Sequence, residues 1–427
     1  MIRDRQKTCM KIVLVHNTYR QAGGEDVVFQ SEKRLLERAG HTVIPYIRSN
    51  MELKDDSVID RLSIASRMIW SREAGQSLAA ILDAERPNLV HVHNTFMVIS
   101  PSIYSACSER RIPVVQTLHN FRLLCPGSSF YRGGSPCEEC VDHSLFRSVL
   151  HGCYRNSRQA SGAVALMLAT HRALGTWQNS VTRYIALTHF VKEKFVKAGF
   201  PFERLVVKPN FTEPDPGERL GAGEYALFIG RLDPTKGTRV LLDAWNRLPV
   251  KYPLHVVGDG PDRQWMEAQA REWRLSAVTF RGRLSHPEAI EAIKGARLTI
   301  VPSTWYETFG LVFIESFACG TPVLCSRLGA MSEIVDDQKT GLHFNPSDPQ
   351  DLAEKVKWAW SHPLELARMG RVARRKYESD YTSEKNYSQL MEIYEQAMAA
   401  CASPGLATSS ARKIAAPVSA SNSESEF

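Results

Sequence analysis

Glu307 and Glu315 bracket the apolar run of ETFGLVFIE, with seven residues between them, inside the stretch Leu298–Leu324. The residue types predict a strand leaving at Val301, a short loop, and a helix over Leu311–Cys319 that carries Glu315 among apolar neighbours. A carboxylate buried there alone is costly, so Glu315 either has a defined partner or sits exposed on a helix capped near Thr308. The amides of Phe309, Gly310 and Leu311 fall at the start of that helix, where free N–H groups suit an anion or a polar ligand. A second group lies in ALFIGRLDPTKG, where a strand ends at Gly230 and a loop closed by Gly237 carries Arg231 and Lys236. Two cations at the carboxyl end of a strand suit a diphosphate, although taken alone they also fit a solvated surface loop. A third group is split: Gly23-Gly24-Glu25 follows the first strand and His119-Asn120 follows the fourth. Glycines there let backbone amides approach phosphate. The run lacks G-x-G-x-x-G, which argues against an ordinary dinucleotide site. His119 is a candidate proton carrier or hydrogen-bond donor, or a strand-end histidine with a structural partner.

Four of the nine cysteines cluster as Cys125-x11-Cys137-x2-Cys140-x12-Cys153. Four thiols with one C-x2-C pair could hold a structural, tetrahedral zinc ion; plain thiols and redox use are the alternatives. Cys9, Cys107, Cys319, Cys325 and Cys401 are scattered and read mostly as small buried residues. A disulfide scaffold is not expected.

Positioning these groups requires strands whose carboxyl ends face one another, and the sequence supplies them. With 427 residues, 43% hydrophobic and 23% charged, the chain has the composition of a globular protein of two or three domains. No apolar run approaches the ~20 residues that span a bilayer. Met1–Cys9 is polar and Ile12–Val15 is short, so no secretory signal and a cytoplasmic location are expected. Lys11–Val15, Thr42–Ile47, Leu89–Val92 and Pro113–Leu118 read as strands and Val27–Ala39 as a helix, the pattern of βαβ units. Pro209, Pro214, Pro216 and Gly217 mark a linker, after which the alternation restarts from Ala226–Ile229. Two doubly wound α/β domains follow, residues 10–207 and 218–380, with the ligand site between them. A last helix over 381–400 is capped by Thr382 and carries Tyr387, Leu390, Met391 and Tyr394 on one face. The Ser/Ala-rich residues 401–427 read as a disordered tail. Charge divides unevenly, with a net +9 over residues 1–200 and −2 over 201–427. The basic half fits an anionic membrane, a nucleic acid, a phosphorylated ligand, or merely a solvated face.

ETFGLVFIE, GRLDPTKG, VGDGP at 257–261 and GTPVL at 320–324 together resemble the retaining glycosyltransferases of family 4. Gly23-Gly24 and Thr117–Asn120 match that family's first half, and the resemblance covers about residues 10–400. It implies a GT-B fold of two Rossmann-like domains facing a cleft, with the C-terminal helix crossing back to the N-terminal domain. It also implies a nucleotide-sugar donor on the C-terminal domain and a glycan or lipid-linked acceptor on the N-terminal side, with no metal needed for catalysis. By position, Glu315 would accept the ribose hydroxyls, Glu307 the hydroxyls of the donor sugar, and Arg231 and Lys236 would face the diphosphate beside Gly230. The backbone of Phe309, Gly310 and Leu311 would lie near sugar and phosphate. Gly282, Arg283 and Leu284 would flank the base, His119 the transferred sugar, and Gly23 and Gly24 the opposite wall. Asn120 departs from the family pattern, in which a carboxylate is frequent. A nucleotide-sugar epimerase or hydrolase is the nearest alternative. A zinc-bearing, basic nucleic-acid-binding protein is the alternative from another class, disfavoured because no known binding motif is present.

Overall fold

The computed structural model describes residues 9–20, 23–53 and 57–402. The tail expected at 401–427 lies outside this set apart from its first two residues, which end the helix Ser383–Ala402. The first sheet holds β1 (Lys11–Thr18), β2 (Thr42–Ser49), β3 (Leu89–Val92) and β4 (Val114–Leu118). A two-stranded hairpin, β5 (Tyr131–Arg132) and β6 (Ser135–Pro136), interrupts it before β7 (Arg183–Ala186) and β8 (Leu205–Val207). The second sheet holds β9 (Tyr225–Ile229), β10 (Leu254–Val257), β11 (Val278–Gly282), β12 (Ala296–Val301), β13 (Val323–Ser326) and β14 (Gly341–Phe344). The sheet orders are β2-β1-β3-β4-β7-β8 and β11-β10-β9-β12-β13-β14, and every pairing within the two sheets is parallel.

These orders decide where ligands can bind. Strand order reverses at β1/β3 in the first sheet and at β9/β12 in the second, opening a crevice at the carboxyl ends in each. Gly23 follows β1, His93 follows β3, Gly230 follows β9, and Ser303–Glu307 follow β12, so both switch points carry chemistry-bearing residues.

The apolar run of β1 is buried on both faces. Val13 and Val15 enter one core with Leu78, Val90 and Leu118. Ile12 and Leu14 enter another with Leu390, Ile393, Tyr394 and Ala397 of the last helix. A parallel strand covered on both sides has no polar face, which is why its sequence shows no alternation. The chain leaves the second domain along the helix Pro363–Asp380, whose Ala373 and Tyr377 pack on Phe313 and Phe317. It then crosses back over the first sheet. The Thr382 hydroxyl accepts from Lys385 N at 3.3 Å at the start of that crossing helix.

Local expectations are corrected mainly at element ends. The helix expected over Val27–Ala39 spans Gly24–Arg38, with Gly23 as N-cap and Glu25 and Asp26 in its first turn. Asp26 Oδ2 accepts from Gly23 N at 2.7 Å, so the glycine pair begins the helix instead of preceding it as a loop. The helix after Glu307 starts at Leu311 behind Gly310, and Thr308 does not cap it.

Candidate active site between the two sheets

On the second domain the β9 and β12 loops bring Lys236 and Glu307 together. Glu307 is buried, and three donors converge on its Oε1: Lys236 Nζ at 2.6 Å, Ser303 Oγ at 2.7 Å and Trp305 Nε1 at 2.9 Å. The Lys236 ammonium also lies 5.3 Å from the centroid of the Trp305 ring. One carboxylate oxygen thus fixes a cation at a strand end, and Oε2 carries no hydrogen bond among the described residues. Arg231 pairs with the buried Asp233, which also caps the following turn by accepting from Thr235 N at 2.9 Å. Two loops touch here through glycines. Gly237 has φ +74°, and a Cβ on it would stand 1.8 Å from the Pro302 carbonyl oxygen. A Cβ on Gly258 would stand 1.9 Å from that of Gly230. Only backbone without a side chain lets these loops close around the site.

Glu315 is half-buried and has a defined partner. Its Oε1 lies 3.1 Å from His286 Nε2, and the hydrogen bond raises the His286 pKa. His286 opens the helix that follows Gly282, Arg283 and Leu284, so those three residues and Glu315 lie in one region. Gly282 has φ +68°, Arg283 is exposed, and Leu284 packs at the edge of an apolar cluster with Leu227 and Val257. Phe309 is buried against Tyr381, with ring centroids 6.0 Å apart, while Gly310 and Leu311 begin the Leu311–Ala318 helix with no side-chain cap.

The opposite wall comes from the first domain. His119 Nε2 lies 2.9 Å from His93 Nδ1, with the rings stacked; burial and the neighbouring His93 hold the His119 pKa well below that of a free imidazole. Glu25, next to Gly24, accepts from Asn94 Nδ2 at 2.9 Å and from Asn120 Nδ2 at 3.3 Å. Burial, reinforced by Asp26, pushes its pKa up to about 8. A carboxyl therefore reaches Asn120 from another element, at the position where the chain departs from the family pattern.

The walls meet directly. Thr308 Oγ1 donates to the His119 carbonyl at 2.8 Å, and His189 N and Phe190 N donate to the two oxygens of Glu333 at 2.8 Å each. Thr304 Oγ1 donates to Tyr131 Oη at 3.2 Å, tying the loop after His119 to the Lys236–Glu307 corner. A separate cavity of about 610 Å³ between the domains is lined by Thr188, Val207, Phe309, Tyr381 and Lys385; of the expected site residues it touches only Phe309.

Cys125 and Cys140 are buried in the core beneath that loop, and all nine cysteines are free thiols. The hydrogen bond from Cys140 lowers the Cys125 thiol below its ordinary range. The zinc site expected at Cys125, Cys137, Cys140 and Cys153 is not supported: no three of these thiols lie within 4.8 Å of one another. Among the described residues the group that meets that distance is Glu32, His91 and His93. Sequence reading missed His286, Ser303, Trp305, Glu32 and the role of Glu25. Glu32 did leave a signal, as a charge on the apolar stripe of Val28, Leu35 and Leu36.

Comparison with known proteins agrees with this architecture. Residues 213–376 match the family model described as glycosyl transferases group 1, and residues 22–215 match that of Glycosyltransferase Family 4. A glycogen synthase of Mycobacterium tuberculosis is 34% identical over 180 residues, which is 41% of this chain and 43% of that protein. A phosphatidyl-myo-inositol mannosyltransferase of the same species is 33% identical over 186 residues, 40% of this chain and 47% of the other. Each alignment thus spans less than half of the relative. Among solved structures, Anabaena Alr3699/HepE in complex with UDP superposes with a TM-score of 0.62 at 18% identity, covering 90% of this chain and all of that one. Two parallel doubly wound domains, matched over residues 22–215 by the Glycosyltransferase Family 4 model and over 213–376 by the glycosyl transferases group 1 model, give the chain the GT-B fold of glycosyltransferases.

Proposed function

We propose that the protein transfers a sugar from a nucleotide-sugar donor to a glycan or lipid-linked acceptor, with retention of anomeric configuration and without a catalytic metal. The observation that carries this reading is the Lys236–Glu307 pair, set at the strand-order switch of the second sheet and facing His119 across the Thr308 contact. Breaking a glycosidic bond to a nucleoside diphosphate requires stabilising the departing phosphates and an oxocarbenium-like centre. Lys236 and Arg231 supply positive charge for the first. Glu307 Oε2 accepts sugar hydroxyls, and the free amides at Gly310 and Leu311 face sugar and phosphate. Glu315 accepts the ribose hydroxyls, with Gly282, Arg283 and Leu284 beside the base. Gly23 and Gly24 form the opposite wall, and Glu25 receives the acceptor's proton. The relatives' names, a glycogen synthase and a phosphatidyl-myo-inositol mannosyltransferase, support acceptors of glycan or lipid-linked type.

Docking of residues 1–200 on an anionic membrane belongs to the same reading. It is supported by their net charge of +9 and by Val58, Ile59 and Leu62 on the helix Val58–Ile69, all two-thirds or more exposed. No helix among the described residues is long and apolar enough to cross a membrane.

A thermal-shift screen of UDP-, GDP- and ADP-sugars tests the donor site. One nucleotide class should raise Tm in the wild type and fail to do so in Glu315→Ala. Equal shifts in both proteins, or none from any nucleotide-sugar, would overturn the assignment.

A further inference from the structure

Beneath His119 lies a fully buried polar chain that the proposed reaction does not use. Glu32, on the Gly24–Arg38 helix, meets donors from two directions. Lys208 Nζ lies 3.3 Å from Oε2; His91 Nδ1 and His93 Nε2 lie 2.9 and 3.3 Å from Oε1. Lys208 belongs to the segment joining the domains and also donates to Asn386 Oδ1 at 3.0 Å, while Asn386 Nδ2 donates to the Pro209 carbonyl at 2.7 Å. His91 is fixed by Tyr394 Oη on Nδ1 and by Thr117 Oγ1 on Nε2, both at 2.8 Å. The interdomain segment and the crossing helix therefore both hold this carboxylate. Although Glu32, His91 and His93 are spaced as metal ligands would be, Lys208 already supplies the cation that balances Glu32.

Proton counting along the chain leaves one arrangement. Burial would raise the pKa of Glu32, but Lys208 and His91 overcome this and hold it ionised, so it can only accept hydrogen bonds. Burial and His91 lower His93 to about 4, and burial lowers His119 as well, so each ring carries a single N–H at neutral pH. His93 Nε2 and Glu32 Oε1 lie 3.3 Å apart and both lack an aligned hydrogen-bond partner among the described residues; a small rotation pairs these two buried atoms, which assigns the His93 proton to that contact. His93 Nδ1 is then an acceptor, and His119 Nε2, 2.9 Å away, must donate to it.

We infer that Glu32 is a positioning residue which, through His93, locks His119 in the Nε2–H tautomer, so that His119 offers its ligand a lone pair on Nδ1 and not a proton. With His119 beside the transferred sugar, a part that rests on the proposed function, the ligand must bring a hydroxyl that donates. A deoxy or O-alkylated sugar at that position is selected against.

The test is the tautomer itself, read from two-bond 15N–1H correlations of the full-length protein labelled at histidine, at neutral pH and without donor. His119→Asn and His93→Gln identify the two resonances. The expected result is His119 as the Nε2–H form in the wild type, passing to a mixture of tautomers in Glu32→Gln. If the lone Lys208 charge unfolds that variant, Glu32→Gln combined with Lys208→Met removes both charges and should give the same mixture. His119 as Nδ1–H or as a cation in the wild type would overturn the inference. So would an unchanged Nε2–H form in a folded variant. Failure of the glycosyl-transfer reading would show itself separately, as an intact Nε2–H tautomer that no nucleotide-sugar perturbs.

Discussion

Lys236 and Glu315 should fail in different ways when truncated, because they act at different stages of the proposed reaction. Glu315→Ala loses charge-assisted hydrogen bonds to ribose, each about 1.5–3 kcal/mol, so donor KM should rise at least ~10-fold with kcat little changed. Lys236→Ala removes positive charge where it develops its value only as the diphosphate leaves, so kcat should fall ~100-fold or more. Steady-state kinetics of both variants separate these effects, and near-wild-type constants for both would contradict the site. Glu25 predicts a pH limb. Its carboxyl is raised to about 8 by burial and by Asp26, so the ionised form able to take a proton grows as pH rises through that range. Wild-type kcat/KM should climb toward pH 8, and Glu25→Gln should be ~10–100-fold slower and lack the limb. Stability runs the other way. The folded pKa exceeds the ordinary value of 4.5, so Glu25 costs the fold nothing below that value and destabilises it increasingly as pH rises from there through 8. Glu25→Gln should therefore gain in Tm over the wild type between pH 5 and pH 9.

At the scale of elements, the loops after β9 and β12 matter because they touch through backbone. Gly237→Ala sets a Cβ 1.8 Å from the Pro302 carbonyl in a left-handed conformation that alone costs about 1–2 kcal/mol. Chemical denaturation should show at least that loss together with weakened donor binding, and a neutral Gly237→Ala would contradict the close approach. The strands were legible in the sequence because parallel strands buried on both faces carry unbroken apolar runs, as in Ile12–Val15 of β1. Helix ends were less so. At Gly23–Gly24 composition signalled a loop, yet Asp26 satisfies the first amide and the helix begins three residues early. Motif order singled out Lys236, Glu307 and Glu315 as candidates. Spacing could not reveal their partners Ser303, Trp305 and His286, because tertiary contact decides these. The same holds for Glu32–Lys208, joined across 176 positions by a helix and the interdomain segment. Cys125, Cys137, Cys140 and Cys153 show the converse, a ligand-like spacing in sequence in which no three thiols lie within 4.8 Å of one another.

At the scale of the molecule, charge and apolar exposure concentrate on the first domain. Basic groups near anionic lipid contribute about 1 kcal/mol each, and screening weakens them beyond ~8 Å at physiological salt. The protein should co-sediment with phosphatidylglycerol vesicles at low salt and release at several hundred millimolar salt. Leu62→Ser combined with Ile59→Ser should weaken the association. Equal binding to neutral vesicles, or none to anionic ones, would remove membrane docking and leave the transfer reaction untouched. That reaction is tested most directly by proton NMR of donor turnover in EDTA, using the nucleotide-sugar that stabilises the protein and a membrane lipid extract, or water, as acceptor. The expected spectrum shows nucleoside diphosphate appearing in step with a first-formed product of unchanged anomeric configuration, and neither in Lys236→Ala. An inverted product, turnover restored only by Mn²⁺, or full activity in Lys236→Ala would contradict it.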